Sequence, residues 1–147
     1  MKNYSNIYRP SRKNLSKCSK ILKNQGVCAL PTETVYGLAG NAYSEKAIDK
    51  IYKLKKRPRK NPLIVHFDKL QSIQNETVYN VLLSTIYKKF SPGPITYVLK
   101  LKKTSKISNK IINKNGTIAC RVPANRYFRK IIKLCGSPLA APSANIS

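Results

Sequence analysis

Apolar positions along the chain alternate between helical spacing and short unbroken runs. Leu15, Cys18, Ile21 and Leu22 share one helical face, and Gly26 supplies a stop. Val27 to Leu30 predicts a buried strand that ends abruptly at Pro31-Thr32-Glu33-Thr34. Ser44 is placed to cap a second helix with Ala47, Ile48, Ile51, Tyr52 and Leu54 as its apolar positions, closed by Pro58 and Pro62. Leu63 to Phe67 reads as a second buried strand. Val78, Val81, Leu82 and Ile86 predict a third helix that stops at Ser91-Pro92-Gly93-Pro94. Ile95 to Leu101 and Thr117 to Val122 predict two more strands. Tyr127 to Leu134 predicts a short helix before Gly136, and Pro138 to Ala141 enters a last strand or extended loop. A turn follows at Pro142-Ser143-Ala144-Asn145.

Strands alternating with helices imply an α/β domain built on an open, twisted, mixed sheet with flanking helices. The 147 residues suit one domain, and 41% apolar residues are enough for a core. The polar, basic stretch 1–14 is expected to be a flexible arm, with the domain over 15–147.

Charge changes the picture. Lys and Arg number 29 against 5 Asp and Glu, a formal +24. Such a field attracts phosphates, on nucleotides or on RNA. Lys far outnumbers Arg, and Asn and Ile are abundant, so drift toward A/T-rich codons accounts for much of the excess equally well. Charge alone does not choose between ATP and tRNA. The four cysteines (Cys18, Cys28, Cys120 and Cys135) form no CxxC pair, and His66 is the only histidine. That argues against a structural zinc site and against a disulfide framework, and free thiols fit a reducing compartment. No apolar run approaches the ~20 residues of a membrane span, and the N-terminus lacks a signal-peptide apolar region. The expected location is the cytoplasm.

Catalytic material is scarce. With one histidine and five carboxylates, a Ser-His-Asp set or a carboxylate pair has little to draw on. Neither a GxxxxGK[ST] loop nor a GxGxxG fingerprint is present. Chemistry here must rest on positioning and positive charge, which suits phosphoryl or nucleotidyl transfer. The basic cluster Lys55-Lys56-Arg57-Pro58-Arg59-Lys60-Asn61-Pro62 offers point charges and guanidinium forks for phosphate; taken alone it reads first as a solvated charge run or a generic nucleic-acid patch. Thr32, Glu33, Thr34 and Tyr36 follow a buried strand, where polar groups line a crevice or cap a turn. His66 sits within an apolar strand, as a core histidine or a ligand. Arg121 interrupts another strand and calls for an anionic partner or a solvent-facing edge.

Taken together, these segments resemble the YrdC-like family. PTETVYGL (31–38) and IYKLKKRPRKNPLIVHF (51–67) are close to its signature. SPGPITYVL (91–99), TIACRVP (117–123) and GSPLAAPSANIS (136–147) follow in the family's order. The resemblance implies synthesis of threonylcarbamoyl-AMP from L-threonine, bicarbonate and ATP, with release of pyrophosphate and with Mg2+ accompanying the ATP. Threonylcarbamoyl-transfer proteins would then pass the group to tRNA, giving threonylcarbamoyladenosine. The family's Lys-x-Arg…Ser-x-Asn signature falls on Lys55, Arg57, Ser143 and Asn145, with Lys55 and Arg57 as catalytic residues. By position, Thr32, Thr34, Tyr36, His66, Arg121 and Ala141 would line the threonine pocket. Lys55, Arg57, Asn61, Thr117, Ser143 and Asn145 would contact ATP. Family members continue beyond the SAN motif, so the resemblance also implies a domain incomplete at its C-terminus. Two other readings stay open: a non-catalytic double-stranded RNA or tRNA-binding module (or inactive fragment), and a carbamoyl-transfer domain of the hydrogenase-maturation type.

Overall fold

A computed structural model describes residues 6–145 of the chain. Among these described residues, six strands form one mixed sheet: β1 (Val27–Pro31), β2 (Tyr36–Asn41), β3 (Ile64–His66), β4 (Tyr97–Lys100), β5 (Thr117–Arg121) and β6 (Leu139–Ala140), in the order β1-β2-β6-β3-β5-β4. Only the β3–β5 pair is parallel. Five helices flank the sheet: α1 (Arg12–Lys23), α2 (Glu45–Lys55), α3 (Leu70–Glu76), α4 (Val81–Phe90) and α5 (Arg126–Cys135). The expected fold class is the one observed.

Local chemistry explains most element ends. Ser11, Ser44, Asn80 and Asn125 each cap a helix N-terminus by accepting a backbone N–H on the side-chain oxygen. α1 starts at Arg12, three residues ahead of Leu15, because Ser11 rather than a later residue supplies that cap.

Strand alternation sorts the sheet into two faces. Val65, Cys120, Ile118, Val122 and Ala140 point into the larger core, where Ile48, Ile51, Leu63 and Phe67 meet them. Leu30, Ala39, Leu139 and Ala141 point the other way, into a smaller core closed by Leu22 of α1 and by Phe128, Ile131 and Ile132 of α5. Both Leu22 and Phe128 are wholly buried. α1 and α5 therefore cover the β1-β2-β6 side of this second face. Across β3, β5 and β4 the same face stays open: Ile64, Thr117 and Ala119 are half-buried, and Val98 is exposed.

Several elements differ from the sequence pattern. β2 was not signalled, because Gly37, Ala39 and Gly40 lack β-forming side chains. Its glycines serve packing: a Cβ at Gly40 would meet Ile51 Cδ1 at 3.0 Å and Ala47 Cβ at 3.3 Å, so glycine is what lets α2 lie against the strand. α3 was missed because it is short and buries one apolar side chain, Ile73, beside Glu76. In α4 the residue that enters the core is Leu83, whereas Val81, Leu82 and Ile86 face solvent, as does Val78 ahead of the helix. Leu54 of α2 is likewise exposed, since the inward face runs through Ile48, Ile51, Tyr52 and Lys55. Cys120 is buried, and the other three cysteines are half-buried against the smaller core, all as free thiols. Among the described residues, no helix is long and apolar enough to cross a membrane.

Candidate active site

Register places much of the expected site on one surface. His66 pairs with Arg121, and Ile64 pairs with Ala119 two residues earlier. Paired residues and every second neighbour share a face, so His66, Arg121 and Thr117 lie on the same side of the sheet. β6 extends this row. Leu139 is opposite His66, so Ala141 and, through its bridge to Gly37, Ser143 belong to that face as well. Beyond β6 the chain continues beside β2: Leu38 N donates to Pro142 O at 3.0 Å, and Ala144 N donates to Tyr36 O at 2.6 Å. Gly37 permits this approach, because a Cβ there would lie 3.2 Å from Ala141 Cβ.

The β1–β2 turn bends over the open face. Glu33 stands in that turn, yet Glu33 Oε1 accepts from Arg121 Nη1 at 3.2 Å. Arg121 lies three strands from β2, roughly 14 Å across the sheet at the usual strand spacing. Glu33 Oε2 also accepts from Ala124 N at 3.1 Å. Arg121 Nε and Nη2 both donate to Thr96 Oγ1, at 3.1 and 2.8 Å. The anionic partner that Arg121 required is therefore Glu33, with Thr96 beside it. Both side chains are mostly buried, 17% and 14% exposed. Of the guanidinium's five N–H donors, these bonds use three and leave two.

Thr32 organises the turn itself. Its Oγ1 accepts from Thr34 N and Val35 N, each at 3.1 Å, and donates to Val35 O at 2.5 Å. Thr34 Oγ1 lies 3.2 Å from Thr32 Oγ1. Thr34 is exposed, and Tyr36, at 61% exposure, is too. Thr32 thus caps a turn and stands at the crevice, so the two readings of this segment describe one geometry.

His66 is buried, with its ring 4.9 Å from the ring of Phe128. Its Nδ1 has no hydrogen-bond partner among the described residues. Burial, and after it the charge of Arg121, lowers its pKa to about 4, so the imidazole is neutral at neutral pH.

The basic cluster lies where α2 ends and the chain turns back into β3. Arg57 Nε donates to Asn61 O at 3.1 Å and Arg57 Nη2 to Pro62 O at 3.2 Å, which folds the loop onto itself. Tyr52 Oη donates to the same Asn61 carbonyl at 3.2 Å. Asn61 is exposed. Arg59 pairs with Asp49 at 2.6 Å and lies over the Tyr52 ring. Lys55 differs from all of these. It is 3% exposed, and its Nζ has no hydrogen-bond partner among the described residues. α2 starts after the Asn41 end of β2 and runs back along it, so Lys55 reaches the end of the sheet that holds Tyr36, Ser143 and Pro62. Thr117 begins β5 at this same end and accepts from Asn113 Nδ2 at 3.2 Å. Ser143 and Asn145 are exposed there.

Two sets emerge. Lys55, Arg57, Asn61, Thr117, Tyr36, Ser143 and Asn145 share one end of the sheet. Thr32, Thr34, His66, Arg121 and Ala141 line the open face beside it. Thr96 carried no signal in the sequence and is revealed only by the β4–β5 pairing, whereas Glu33, expected to line a crevice or cap a turn, turns out to be the partner of Arg121. A hollow of about 520 Å³ lies at the opposite end of the sheet, against Phe67, Asp68 and Pro138, and is lined by none of the expected residues. A second hollow, about 270 Å³, adjoins the basic loop, between Arg59, Lys60, Pro62, Lys110 and Lys114.

The family model Sua5/YciO/YrdC, described as "Telomere recombination", matches residues 20–147. A threonylcarbamoyl-AMP synthase of Pyrococcus abyssi is 43% identical over 122 residues, which cover 81% of this chain and 35% of that protein. A threonylcarbamoyl-AMP synthase of Bacillus subtilis is 37% identical over 134 residues, covering 90% of this chain and 38% of that protein. The crystal structure of Pyrococcus abyssi Sua5 complexed with L-threonine superposes with a TM-score of 0.88 at 35% identity, over 95% of this chain and 41% of that one. The chain thus spans little more than a third of the length of these two curated relatives.

Proposed function

The chain belongs to the Sua5/YciO/YrdC family, and on that premise we propose that it binds L-threonine, bicarbonate and ATP and forms threonylcarbamoyl-AMP for tRNA modification. The observation that carries this reading is Lys55: a buried ammonium whose donors meet no acceptor among the described residues, at the sheet end where Arg57, Thr117 and Ser143 also stand. A buried cation is costly unless an anion meets it, and a triphosphate is the anion this chemistry supplies.

In the proposed mechanism the threonine amine attacks the bicarbonate carbon, and water leaves to give a carbamate. A carbamate oxygen then attacks the α-phosphorus, and the bond to pyrophosphate breaks. Lys55 and Arg57 stabilise the charge that gathers on the phosphate oxygens. Arg121, with two donors left over, holds the threonine carboxylate, and Glu33 and Thr96 fix the angle of its guanidinium. Thr32 and Thr34 border the amino acid from the turn. Neutral His66 and Ala141 close its inner wall. The largest contribution is proximity: two anions are brought together on one surface.

Magnesium would arrive on the triphosphate. Among the described residues no three ligating side chains gather to cage it: Glu33 is engaged with Arg121, Asp49 with Arg59 and Lys110, Glu76 with Ser105 and Tyr43, Asp68 with Ser72, and Glu45 lies 3.9 Å from Lys110. Threonylcarbamoyl-transfer proteins would take the adenylate onward to tRNA.

Pyrophosphate release from ATP, dependent on both threonine and bicarbonate, tests the proposal. Arg57→Ala is expected to lower that rate about 100-fold or more; near-normal turnover would remove Arg57 from the mechanism. A second reading, tRNA or double-stranded RNA binding without adenylate formation, has one observation on its side: the +24 charge, with Lys60 and Lys114 exposed beside the 270 Å³ hollow. Calorimetry separates the two, because a pure RNA binder takes up neither ATP nor threonine.

A further inference from the structure

Helix α4 carries an apolar arc that the domain uses only in part. Leu83 is buried and Tyr87 packs against the core, so these two hold the helix in place. Leu82, Ile86 and Phe90 recur at every fourth residue and form a stripe beside that inner edge. All three are exposed, Leu82 at 65%. Val78, Tyr79 and Val81 extend the exposed patch at the helix start, with Tyr79 at 70%. Single exposed apolar residues need no explanation, but six within thirteen consecutive positions concentrate apolar surface in the way that marks an interaction site.

Most charged residues around the patch are lysines, and Asp68 stands on the inner side of α4 near Tyr87. Lys88 and Lys89 stand in the last turn of α4, and Lys89 Nζ lies 5.4 Å from the Phe90 ring centre. Lys100 and Lys102 flank the other end, since Val78 N donates to Lys100 O and Lys102 N to Glu76 O. Glu76 is the last of the chain's five acidic residues, so no carboxylate follows it in the sequence. Two copies joined through this patch would face lysine rim with lysine rim, each copy carrying +24. Nucleic acid would suit the lysines and would find rings for stacking only in Tyr79 and Phe90, leaving Val78, Val81, Leu82 and Ile86 without a partner.

We propose that the outer face of α4 docks another protein through an amphipathic helical segment, apolar along its centre and acidic along its flanks. Leu82, Ile86 and Phe90 supply the apolar seam, and Lys88 and Lys89 pair with the acidic rim.

The test uses the full chain and a synthetic peptide of about 18 residues, with Leu at helical i, i+3, i+4 and i+7 positions and Glu elsewhere. A second peptide has the same composition in an order that spreads Leu around the helix. Fluorescence anisotropy is expected to show the amphipathic peptide binding at least about ten-fold tighter than the control. Leu82→Ser with Ile86→Ser should erase that difference, leaving the circular dichroism spectrum and binding of the control peptide unchanged. Exposure of both side chains makes these substitutions safe for folding. Equal binding of the two peptides would overturn the proposal, as would persistence of the preference in the variant. A dimer in sedimentation velocity that the same substitutions dissolve would assign the face to a second copy. Protection of α4 from hydrogen exchange by an RNA duplex would assign it to nucleic acid. Either result also overturns the proposal.

Discussion

Arg121 and Lys55 are two cations of the candidate site, and the domain treats them in opposite ways. Arg121 is met by Glu33 from the β1–β2 turn and by Thr96 from the neighbouring strand, so its charge and its orientation are both fixed. Lys55 is more deeply buried, yet its ammonium touches no acceptor among the described residues. An ion pair formed within the protein holds a side chain in place for a ligand. An unpaired buried cation costs stability and is kept only where an outside anion repays it. Under the proposed function, the first region would be pre-organised for the amino acid and the second would anchor the nucleotide's phosphates.

The largest expected effect comes from breaking the pre-organised side. Arg121→Met leaves the Glu33 carboxylate in a mostly buried place with only Ala124 N for company. Unfolding free energy in urea should fall by about 2–4 kcal/mol, less than for a wholly buried pair because water still reaches both groups. Adding Glu33→Gln should restore part of this, which a double-mutant cycle would read as coupling.

Acid acts on the same region through His66. Its ordinary pKa of 6.5 is lowered to about 4 in the fold. Between those values the unfolded chain binds a proton that the folded chain refuses, so stability falls as pH drops from 6.5 toward 4. The loss is bounded at about 3 kcal/mol, and His66→Gln should flatten it in urea titrations across that window. In Arg121→Met the window should narrow, because one cause of the lowered pKa is gone.

The smallest effect on this side is expected at the turn. Thr32→Val keeps the shape and removes the hydroxyl that serves Thr34 N, Val35 N and Val35 O. About 1 kcal/mol of stability should be lost, with a larger proportional rise in the threonine KM than in the ATP KM.

The two regions were not equally legible in the sequence. β3 and β5 were visible because LIVHF and TIACRV are apolar runs, and α2 and α5 because Ser44 and Gly136 punctuate them. β2 was not, since its glycines answer to packing against α2 and Ala141 rather than to strand propensity. In α4 the period was read correctly, but a period alone does not say which side of a broad apolar arc meets the core. Arg121 announced its need for an anion, yet Glu33 lies 88 positions away and arrives only because the turn leans across three strands. Lys55 sits in a basic run that reads as solvated. Its burial follows the helical period of Ile48, Ile51 and Tyr52, which puts Lys55 on the inward face of α2, a signal hidden by its charge and its basic neighbours.

Calorimetric titration of a non-hydrolysable ATP analogue into the wild-type chain and into Lys55→Met, paired with urea unfolding of both without nucleotide, tests the assignment of Lys55 most directly. Affinity is expected to fall about 100-fold or more, roughly 3 kcal/mol, while the nucleotide-free variant becomes more stable than wild type because an unpaired buried charge is gone. Unchanged affinity, or a variant less stable than wild type, would contradict the role of Lys55 as the phosphate anchor.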